Sequence, residues 1–281
     1  MQNALNSVAN EQLDAAPACE SAAAAAAIAR PMHKGLRRHC ARVLPLLALA
    51  VLWQVLTTTF DSKVLPPPSA VLTTLWHELA QGDLLFHLGM TLRRVAISFA
   101  AAMLIGVALG ILMGASKRWD RLLDAPLILG LNIPALVTII LCYVWFGLSE
   151  TAAVIAVTVN KIPMVAVSLR EGARAIDKNL LQVATVYKLS RRDTFFLVYL
   201  PQLSPYLFGA ARNGLALIWK IVLVVELLGC NNGVGFQIGS FFHFFDVTGI
   251  LAYTLAFALV ILAIEALALR PLETCLHRWR T

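Results

Sequence analysis

Charged residues are scarce in this sequence. Asp, Glu, Lys and Arg make up 14% of its 281 residues, against about 25% in a typical soluble domain. Hydrophobic residues make up 59%, and the mean hydropathy is +0.75. One water-soluble core cannot enclose so much apolar surface, so the excess must face lipid. The composition excludes a disordered chain, a disulfide scaffold and a cytosolic enzyme, and it indicates an integral membrane protein.

Motifs for metal binding and catalysis are also missing. The five cysteines form no CxxC pair, and the six histidines form no HxxxH or HExxH motif, so we expect neither a metal site nor a disulfide framework. A GxxxxGKS or GxxxxGKT loop, which would cradle nucleotide phosphates, is absent, and so is a GxSxG motif. We therefore expect no catalytic residues and no cofactor bound by this chain.

Six apolar segments approach the length of about 20 residues with which a helix crosses a bilayer. We therefore predict an all-α, polytopic membrane protein with six transmembrane helices. The predicted spans are residues 43–59, 95–115, 123–146, 151–169, 206–228 and 249–269. Asn132-Ile133-Pro134 interrupts the third span, and Pro163 should break the fourth locally. Residues 69–85 have helical periodicity but are too polar to span, which predicts a helix on the membrane surface.

The basic residues are distributed unevenly between the two sides of the predicted spans. Seventeen fall before the first span, after the sixth, or in the loops that follow the second and fourth spans. The other side has three, which are Lys63, Arg93 and Arg94. By the positive-inside rule the richer side faces the cytoplasm, which places both termini inside. The net charge of +7 thus reflects membrane orientation, and we expect no nucleic-acid partner.

Residues 1–42 differ from the apolar remainder of the chain. An alanine run at residues 22–27 follows several acidic residues, whereas a signal peptide has a basic start and a stronger apolar stretch. We predict a disordered cytoplasmic tail over residues 1–42 and one transmembrane domain over residues 43–281.

Three glycines of the second predicted span, Gly106, Gly110 and Gly114, recur every four residues. This spacing puts them on one stripe, where a second helix can approach closely. The alternative is that the glycines are merely tolerated in a membrane helix.

The longest loop on the predicted cytoplasmic side runs from about residue 170 to Pro201. Apolar residues recur in it at helical spacing; they are Leu180, Leu181, Val183, Ala184 and Tyr187. A short amphipathic helix of this kind lies on lipid headgroups or fills a groove in a partner protein. Pro201 and Pro205 should break the helix before the fifth span.

This loop resembles the EAA loop of type I ABC importer permeases. The family pattern is Glu-Ala-Ala, three residues, Gly, nine residues and Ile-x-Leu-Pro. The corresponding residues here are Gln182, Val183 and Ala184, then Lys188, and then Val198, Leu200 and Pro201. A lysine at the glycine position must adopt at some cost a backbone conformation that glycine takes readily, or the turn must change.

Further short matches occur in the order seen in permeases of nitrate, sulfonate, taurine and bicarbonate importers, and the resemblance covers about residues 44–280. They are Ile133-Pro134, Trp145-Phe146-Gly147, Glu171-Gly172, Ile176-Asp177, Glu226 and Gly233-Val234-Gly235. The resemblance implies a type I permease in a bacterial cytoplasmic (inner) membrane. It also implies that Glu171, Tyr187 and the EAA-loop residues couple the chain to an ATPase.

The same resemblance implies the partners of the chain. A second permease subunit, usually an identical copy, joins it in the bilayer. Two cytoplasmic ABC ATPase subunits and a periplasmic or extracellular substrate-binding protein complete the importer. ATP with Mg²⁺ is then bound by the partner ATPase, in agreement with the missing phosphate loop. The implied function is a transport subunit and not an enzyme.

Four ionisable residues lie within or close to the predicted spans, where such groups should face protein or water. We interpret Arg212 and Glu226 as structural charges, the first reaching the membrane surface and the second forming a pair. Lys161 and Lys220, with Asn213 on the helical face of Lys220, either line a path for an anion or form structural pairs between helices.

A small anion such as nitrate, a sulfonate or a similar acid is the expected cargo. A stand-alone secondary transporter or channel would share the broken spans and buried lysines, but it has no need of an amphipathic docking helix that ends in Leu-Pro. A membrane-bound enzyme would need a polar catalytic cluster, which the sequence does not contain.

Overall fold

The computed structural model of the protein describes residues 48–59 and 65–269. The chain divides into two units, Met1–Ser62 and Lys63–Thr281. In the first unit, helix α1 spans Ala48–Thr59. The predicted tail and the start of the first predicted span lie outside the described residues. All other described helices belong to the second unit, and the described residues contain no β-strand.

Two helices open the second unit. Helix α2 spans Pro68–Ala80 and begins at a proline because the first helical turn needs no backbone N–H donor. Helix α3 spans Leu84–Ala115, so it begins 11 residues before the predicted second span. The polar residues in the first turns of α3 continue the helix beyond that span and contact other helices.

Helices α4 and α5 form a bent pair. Helix α4 spans Lys117–Asn132, α5 spans Ala135–Phe146, and the chain bends by 100° between them. The break falls at Ile133-Pro134, as the sequence predicts. A proline disfavours the helical conformation for the residue before it, and Ile133 is accordingly extended, with φ −70° and ψ 123°.

Helix α6 spans Glu150–Arg174 and is continuous through Pro163. The predicted break at this proline is therefore wrong. The Pro163 ring packs on Gly130 of α4, where an added Cβ atom would lie 2.7 Å from the ring. Within a membrane, packing against neighbouring helices compensates for a missing backbone hydrogen bond. The short helix α7, Lys178–Val186, follows.

Helix α8 spans Arg191–Gly229 and is also continuous through its prolines. The predicted break at Pro201 and Pro205 is wrong because the helix widens instead, with a π-helical turn over Thr194–Tyr199. A wider turn relieves the clash between a proline ring and the preceding turn. At 1.5 Å per residue, α8 is roughly 58 Å long, about twice the hydrocarbon thickness of a bilayer.

Helices α9, Val234–His243, and α10, Val247–Ile264, complete the unit, and α10 continues as a π-helical turn over Glu265–Leu269. Helices α3, α6, α8 and α10 are long and apolar enough to cross a bilayer, and the bent pair α4–α5 counts as a fifth span. Helix α1 is also apolar but shorter, Ala48–Thr59. The chain is thus an all-α, multi-pass membrane protein, consistent with six transmembrane helices.

The long helices define two ends of the second unit. Helices α3 and α6 run in the same direction, because Gly106 faces Val165 and Gly114 faces Ala173. Helix α8 runs in the opposite direction, because Tyr206 near its start packs on Gly172 near the end of α6. We call the end where α3 and α6 terminate the basic end, after Lys117, Arg118, Arg121, Arg174, Lys178, Arg191 and Arg192, and the other the opposite end.

The glycine stripe of α3 lets α3 and α6 pack with their backbones in close contact. A Cβ atom on Gly110 would lie 2.6 Å from the carbonyl oxygen of Ala166, and one on Gly106 would lie 2.7 Å from Val165 Cβ. Packing therefore requires these glycines, and the alternative that they are merely tolerated is wrong.

We predict opposite effects of alanine at two glycines of α3. Gly110→Ala should lower the stability of the purified chain by about 1–3 kcal/mol, because the backbone carbonyl facing the new methyl group cannot move away. Gly89→Ala is the matched control. It has no atom within 4 Å of the added Cβ and should be neutral or stabilising by up to about 1 kcal/mol. Thermal unfolding in detergent measures both, and equal stability of the two variants would contradict the packing argument.

Candidate functional site

A buried arginine, Arg94 of α3, joins three segments at the opposite end. Its side chain is 2% exposed. One terminal guanidinium nitrogen donates to Glu226 of α8 at 2.7 Å and to the backbone carbonyl of Asn232 at 2.9 Å. Nε donates to Glu150, at the start of α6, at 3.1 Å, and the remaining nitrogen bonds to Glu150 and to the Asn232 side chain. A planar guanidinium with five donors suits such a fork of acceptors.

Glu226 is the fully buried acceptor of this group, with 0% exposure. One carboxylate oxygen accepts from Arg94, and the other accepts from the Thr91 hydroxyl at 2.9 Å and from the Gly235 N–H at 2.8 Å. A buried charge is tolerated where it is both paired and hydrogen-bonded, and Glu226 meets both conditions. We call Thr91, Arg94, Glu150 and Glu226 the polar cluster.

The segment before α9 folds back against α3 and α8, and its glycines allow this. The Gly233 N–H donates to His87 Nδ1 at 3.0 Å, and the Val234 N–H donates to the Thr91 hydroxyl at 2.9 Å. Gly233 has φ +110°, which favours glycine. A Cβ atom on Gly233 would lie 2.4 Å from the Glu226 carboxylate carbon, and one on Gly235 would lie 2.3 Å from a backbone carbonyl. The Gly-Val-Gly sequence therefore seats the start of α9, whose N–H groups find acceptors on α3 and α8.

From the sequence, Glu226 was expected to form a pair, but Arg94 was placed among the loop charges, so the polar cluster itself was not predicted. Arg93 and Arg94 are adjacent, but the Arg93 side chain is 55% exposed and meets Glu150 at 3.3 Å, whereas Arg94 is enclosed. One signal could have separated them. Arg94 follows His87 and Thr91 by seven and three residues, which puts all three on one polar stripe of an otherwise apolar helix.

Helix α7, which carries the predicted coupling residues, lies at the basic end and is fixed to α8. Asp177 caps it by accepting from the Asn179 N–H at 2.8 Å, and the Asp177 N–H donates to the Gln202 side chain of α8 at 2.9 Å. Gly172, at the end of α6, packs directly on the Tyr206 ring of α8. The start of α7 and the end of α6 are thus both attached to α8 near its prolines.

Helix α7 turns one face to its own chain and another outward. Ala184 is 2% exposed, so it seats the helix against the chain. Val183, Val186 and Tyr187 are 49%, 79% and 76% exposed, and their spacing puts them on one side of the helix. We call these three residues the outer face of α7. Of the other predicted coupling residues, Gln182 and Pro201 are exposed and Leu200 is half-buried.

Lys188 ends α7 in the left-handed conformation, with φ 53°. The Leu189 N–H donates to the Ala184 carbonyl and the Lys188 N–H to the Thr185 carbonyl, both at 3.0 Å. This is the Schellman arrangement that glycine usually closes. The sequence left a strained lysine or a changed turn as alternatives. The structure has the strained lysine, whose conformation costs about 1 kcal/mol.

Ion pairs connect α4 to the end of α6 at the basic end. Arg170 donates to Asp124 at 2.6 Å and lies 3.3 Å from Glu171. Arg174 bonds to Asp120 and lies 3.3 Å from Glu171. Glu171, one of the predicted coupling residues, thus belongs to an exposed ion-pair network.

The predicted path residues lie in different environments. Lys161 is 6% exposed within α6 and makes no hydrogen bond or ion pair with the described residues. Lys220 and Asn213 are exposed on α8, so Lys161 does not share their surface. Arg212 lies 3.7 Å from Glu265. Within residues 48–59 and 65–269, no group of three His, Cys, Asp or Glu side chains could hold a metal ion.

Comparisons with known proteins point to one family. Residues 106–270 match the family described as binding-protein-dependent transport system inner membrane component. The chain is 30% identical to the putative aliphatic sulfonates transport permease protein SsuC of Escherichia coli K12, over 83% of this chain and 89% of the relative. It is also 30% identical to the taurine transport system permease protein TauC of the same organism, over 82% and 86%, and to the nitrate import permease protein NrtB of Synechocystis, over 69% and 74%.

A solved transporter has a similar fold. A chain of the MetNI methionine ABC transporter, in an inward-facing conformation, matches with a TM-score of 0.61 and 19% identity, over 71% of this chain and 98% of that chain. At this level of identity the match shows the fold alone, and it agrees with the helical architecture described above.

Arg94→Met should destabilise the protein by about 3–5 kcal/mol, because it leaves Glu226 buried without its cation. Arg93→Met, the matched control, removes one exposed contact and should cost less than about 1 kcal/mol. Thermal unfolding of both variants beside the unmodified chain, in one detergent, measures the difference. Similar losses in the two variants would show that Arg94 does not hold this end together.

Proposed function

The chain belongs to the family of binding-protein-dependent transport system inner membrane components, and from this premise we propose that it is the permease subunit of an ATP-driven ABC importer for a small anion. The observation that carries the proposal is the outer face of α7, which is exposed and apolar. The residue that caps this helix, Asp177, is hydrogen-bonded to Gln202 of α8. A permease driven by a separate ATPase needs such a contact surface. ATP with Mg²⁺ is bound and hydrolysed by that partner.

In this proposal the basic end faces the cytoplasm of a bacterial inner membrane, with both termini inside. The distribution of basic residues supports this orientation. The outer face of α7 then lies where a cytoplasmic ATPase reaches it. The polar cluster then lies on the external side, where a substrate-binding protein delivers the cargo.

A second copy of the chain completes the membrane part, and each copy engages one of two ATPase subunits. Helix α8 supports this arrangement with a stripe of exposed residues, Asn213, Leu217, Lys220 and Val224. A lysine turned toward hydrocarbon would be costly. The stripe is therefore covered by the second copy, and the path for the cargo runs between the two copies.

Helix α8 connects the ATPase contact to the external side. Closure of the ATPase displaces α7, and the hydrogen bond between Asp177 and Gln202 passes the displacement to the start of α8. At the other end of α8, Glu226 is bonded to Arg94 of α3 and to the backbone of Gly235. The coupling is thus a continuous chain of bonded and packed groups.

The proposed cargo is a small oxyanion such as a sulfonate or nitrate. The functions named for the relatives support this class, and so does the exposed Lys220. Lys220 lies on the exposed stripe of α8. Lys161 is buried and has no partner among the described residues. Lys220 can meet an anion on this stripe, where a cation would be repelled, whereas the buried Lys161 does not line the stripe.

A stand-alone secondary transporter or channel is the alternative. It would use the same lysines, but it would leave the outer face of α7 without a function. Dependence of uptake on a co-expressed ATPase separates the two possibilities.

Val186→Asp should uncouple the transporter, because it puts an unpaired charge into an apolar contact with the ATPase. We expect ATPase binding to weaken at least tenfold, a loss of about 1.4 kcal/mol or more, with a matching loss of ATP-dependent uptake. Val186 is 79% exposed, so the stability of the chain alone should not change. Thr185→Asp alters the neighbouring exposed position outside the outer face of α7 and should keep ATPase binding. Normal binding and uptake in Val186→Asp would overturn the coupling proposal.

Lys220→Met should lower uptake of an anionic cargo about tenfold or more, because it removes the charge that offsets the anion in the path. Assembly with the ATPase and basal ATP hydrolysis should persist. Lys220→Arg keeps the charge and should retain most of the uptake. Radiolabelled uptake of taurine, an alkanesulfonate and nitrate into vesicles, beside the yield of the complex, tests this. A neutral or cationic cargo, or full uptake by Lys220→Met, would contradict the proposed path.

A further inference from the structure

A cavity of about 700 Å³ opens at the basic end. It lies between the ends of α3 and α6, the first turns of α4, and the segment that carries α7, with Tyr199 of α8 on its wall. The charged residues that line it are Lys117, Asp120, Arg121, Arg174 and Lys178. The outer face of α7 is not part of its lining, and neither is the exposed stripe of α8. The cavity is therefore separate from the proposed ATPase contact and from the proposed path.

Positive charge in this cavity is only partly balanced within the chain. Arg174 is paired with Asp120. Arg121 donates to the backbone carbonyl of Lys117 at 3.3 Å, which offsets no charge. Within the described part of the chain, the ammonium groups of Lys117 and Lys178 form no ion pair. Three cations around one open cavity repel each other and attract an anion.

The other half of the lining is apolar. Met113 is buried at the end of α3, and Ile176, Leu181 and Tyr199 contribute apolar surface beside it. The cavity thus has a basic side and an apolar side. A ligand that fills it must carry a negative group next to a hydrocarbon part.

The depth of the cavity in the bilayer indicates which ligand has both a negative group and a hydrocarbon part. Met113, Gly114 and Ala115 are the last residues of α3, and Ala173 and Arg174 are the last residues of α6. Both helices are membrane spans, so their ends lie at the depth of the lipid headgroups. We propose that the cavity binds an anionic phospholipid, with its phosphate between Lys117, Arg121 and Lys178 and its glycerol and first methylene groups on the apolar side.

A free phosphate ion shares the charge chemistry but fits the cavity less well. It would occupy only a small part of about 700 Å³ and would leave the apolar side wet. Basic pockets between membrane helices on the cytoplasmic side are typical sites for anionic headgroups. The proposal depends on the cavity and its charges, and not on the identity of the cargo or of the ATPase.

The test uses the purified full-length chain in dodecyl maltoside, with its unfolding temperature as the readout. Phosphatidylglycerol should raise this temperature by about 3–6 °C over phosphatidylcholine with the same acyl chains. The triple variant Lys117→Gln/Arg121→Gln/Lys178→Gln should lose most of that shift. Arg118→Gln/Arg191→Gln/Arg192→Gln is the matched control, because it removes the same charge at the same end outside the cavity, and it should keep the shift.

Each remaining outcome decides against part or all of the proposal. No difference between the two lipids, or an equal loss of the shift in both triple variants, would overturn the site. The same shift with inorganic phosphate alone, lost only in the cavity variant, would keep a phosphate site and overturn the lipid assignment. If the cavity variant does not fold, Lys117→Gln and Lys178→Gln are measured singly, and each should lose part of the shift. An undiminished shift in both single variants would again overturn the site.

Discussion

A charged side chain buried in a membrane protein needs its ion-pair and hydrogen-bond partners within the protein, because lipid offers none. In this chain the hydrogen bonds of Arg94 meet that requirement. Its guanidinium holds Glu150 of α6, Glu226 of α8 and the backbone of Asn232 at one point. Glu226 in turn holds Thr91 and the start of α9. The directions of α3, α6 and α8 and the fold-back of α9 are therefore all fixed at the opposite end.

Hydropathy identified the architecture well because the membrane imposes a length and a composition on each span. The apolar segments and the break at Ile133-Pro134 were readable from the sequence, and close contact at the glycine stripe was one of its two alternatives. The errors have one common cause. Pro163 and Pro201 do not break their helices, because packing or a widened turn accommodates them. Local propensity describes an isolated helix, whereas in this chain packing against neighbouring segments determines whether a helix continues through a proline.

The candidate site was predictable in position but not in orientation. The EAA pattern located the loop and flagged Lys188, yet the direction that each side chain of α7 faces depends on how the helix sits on α8. Ala184 turns inward while Val186 and Tyr187 turn outward. The polar cluster was harder still, because Arg93 and Arg94 are identical in type and adjacent. Their helical register relative to His87 and Thr91 is the one sequence signal that separates the buried arginine from the exposed one.

The glycine contacts leave no layer of side chains between the backbones of α3 and α6 at Gly110. At this stripe only α6 contributes side chains and they lie directly on the α3 backbone, so the helices cannot slide past each other in small steps without a collision or a void. We therefore expect helices α3 and α6 to move together as one rigid unit. We expect changes of shape to be concentrated where the backbone is irregular, at the 100° bend between α4 and α5 and at the widened turn of α8. The bend and the widened turn are thus the candidate hinges, and the α3–α6 pair is the rigid unit between which and the other helices they would act.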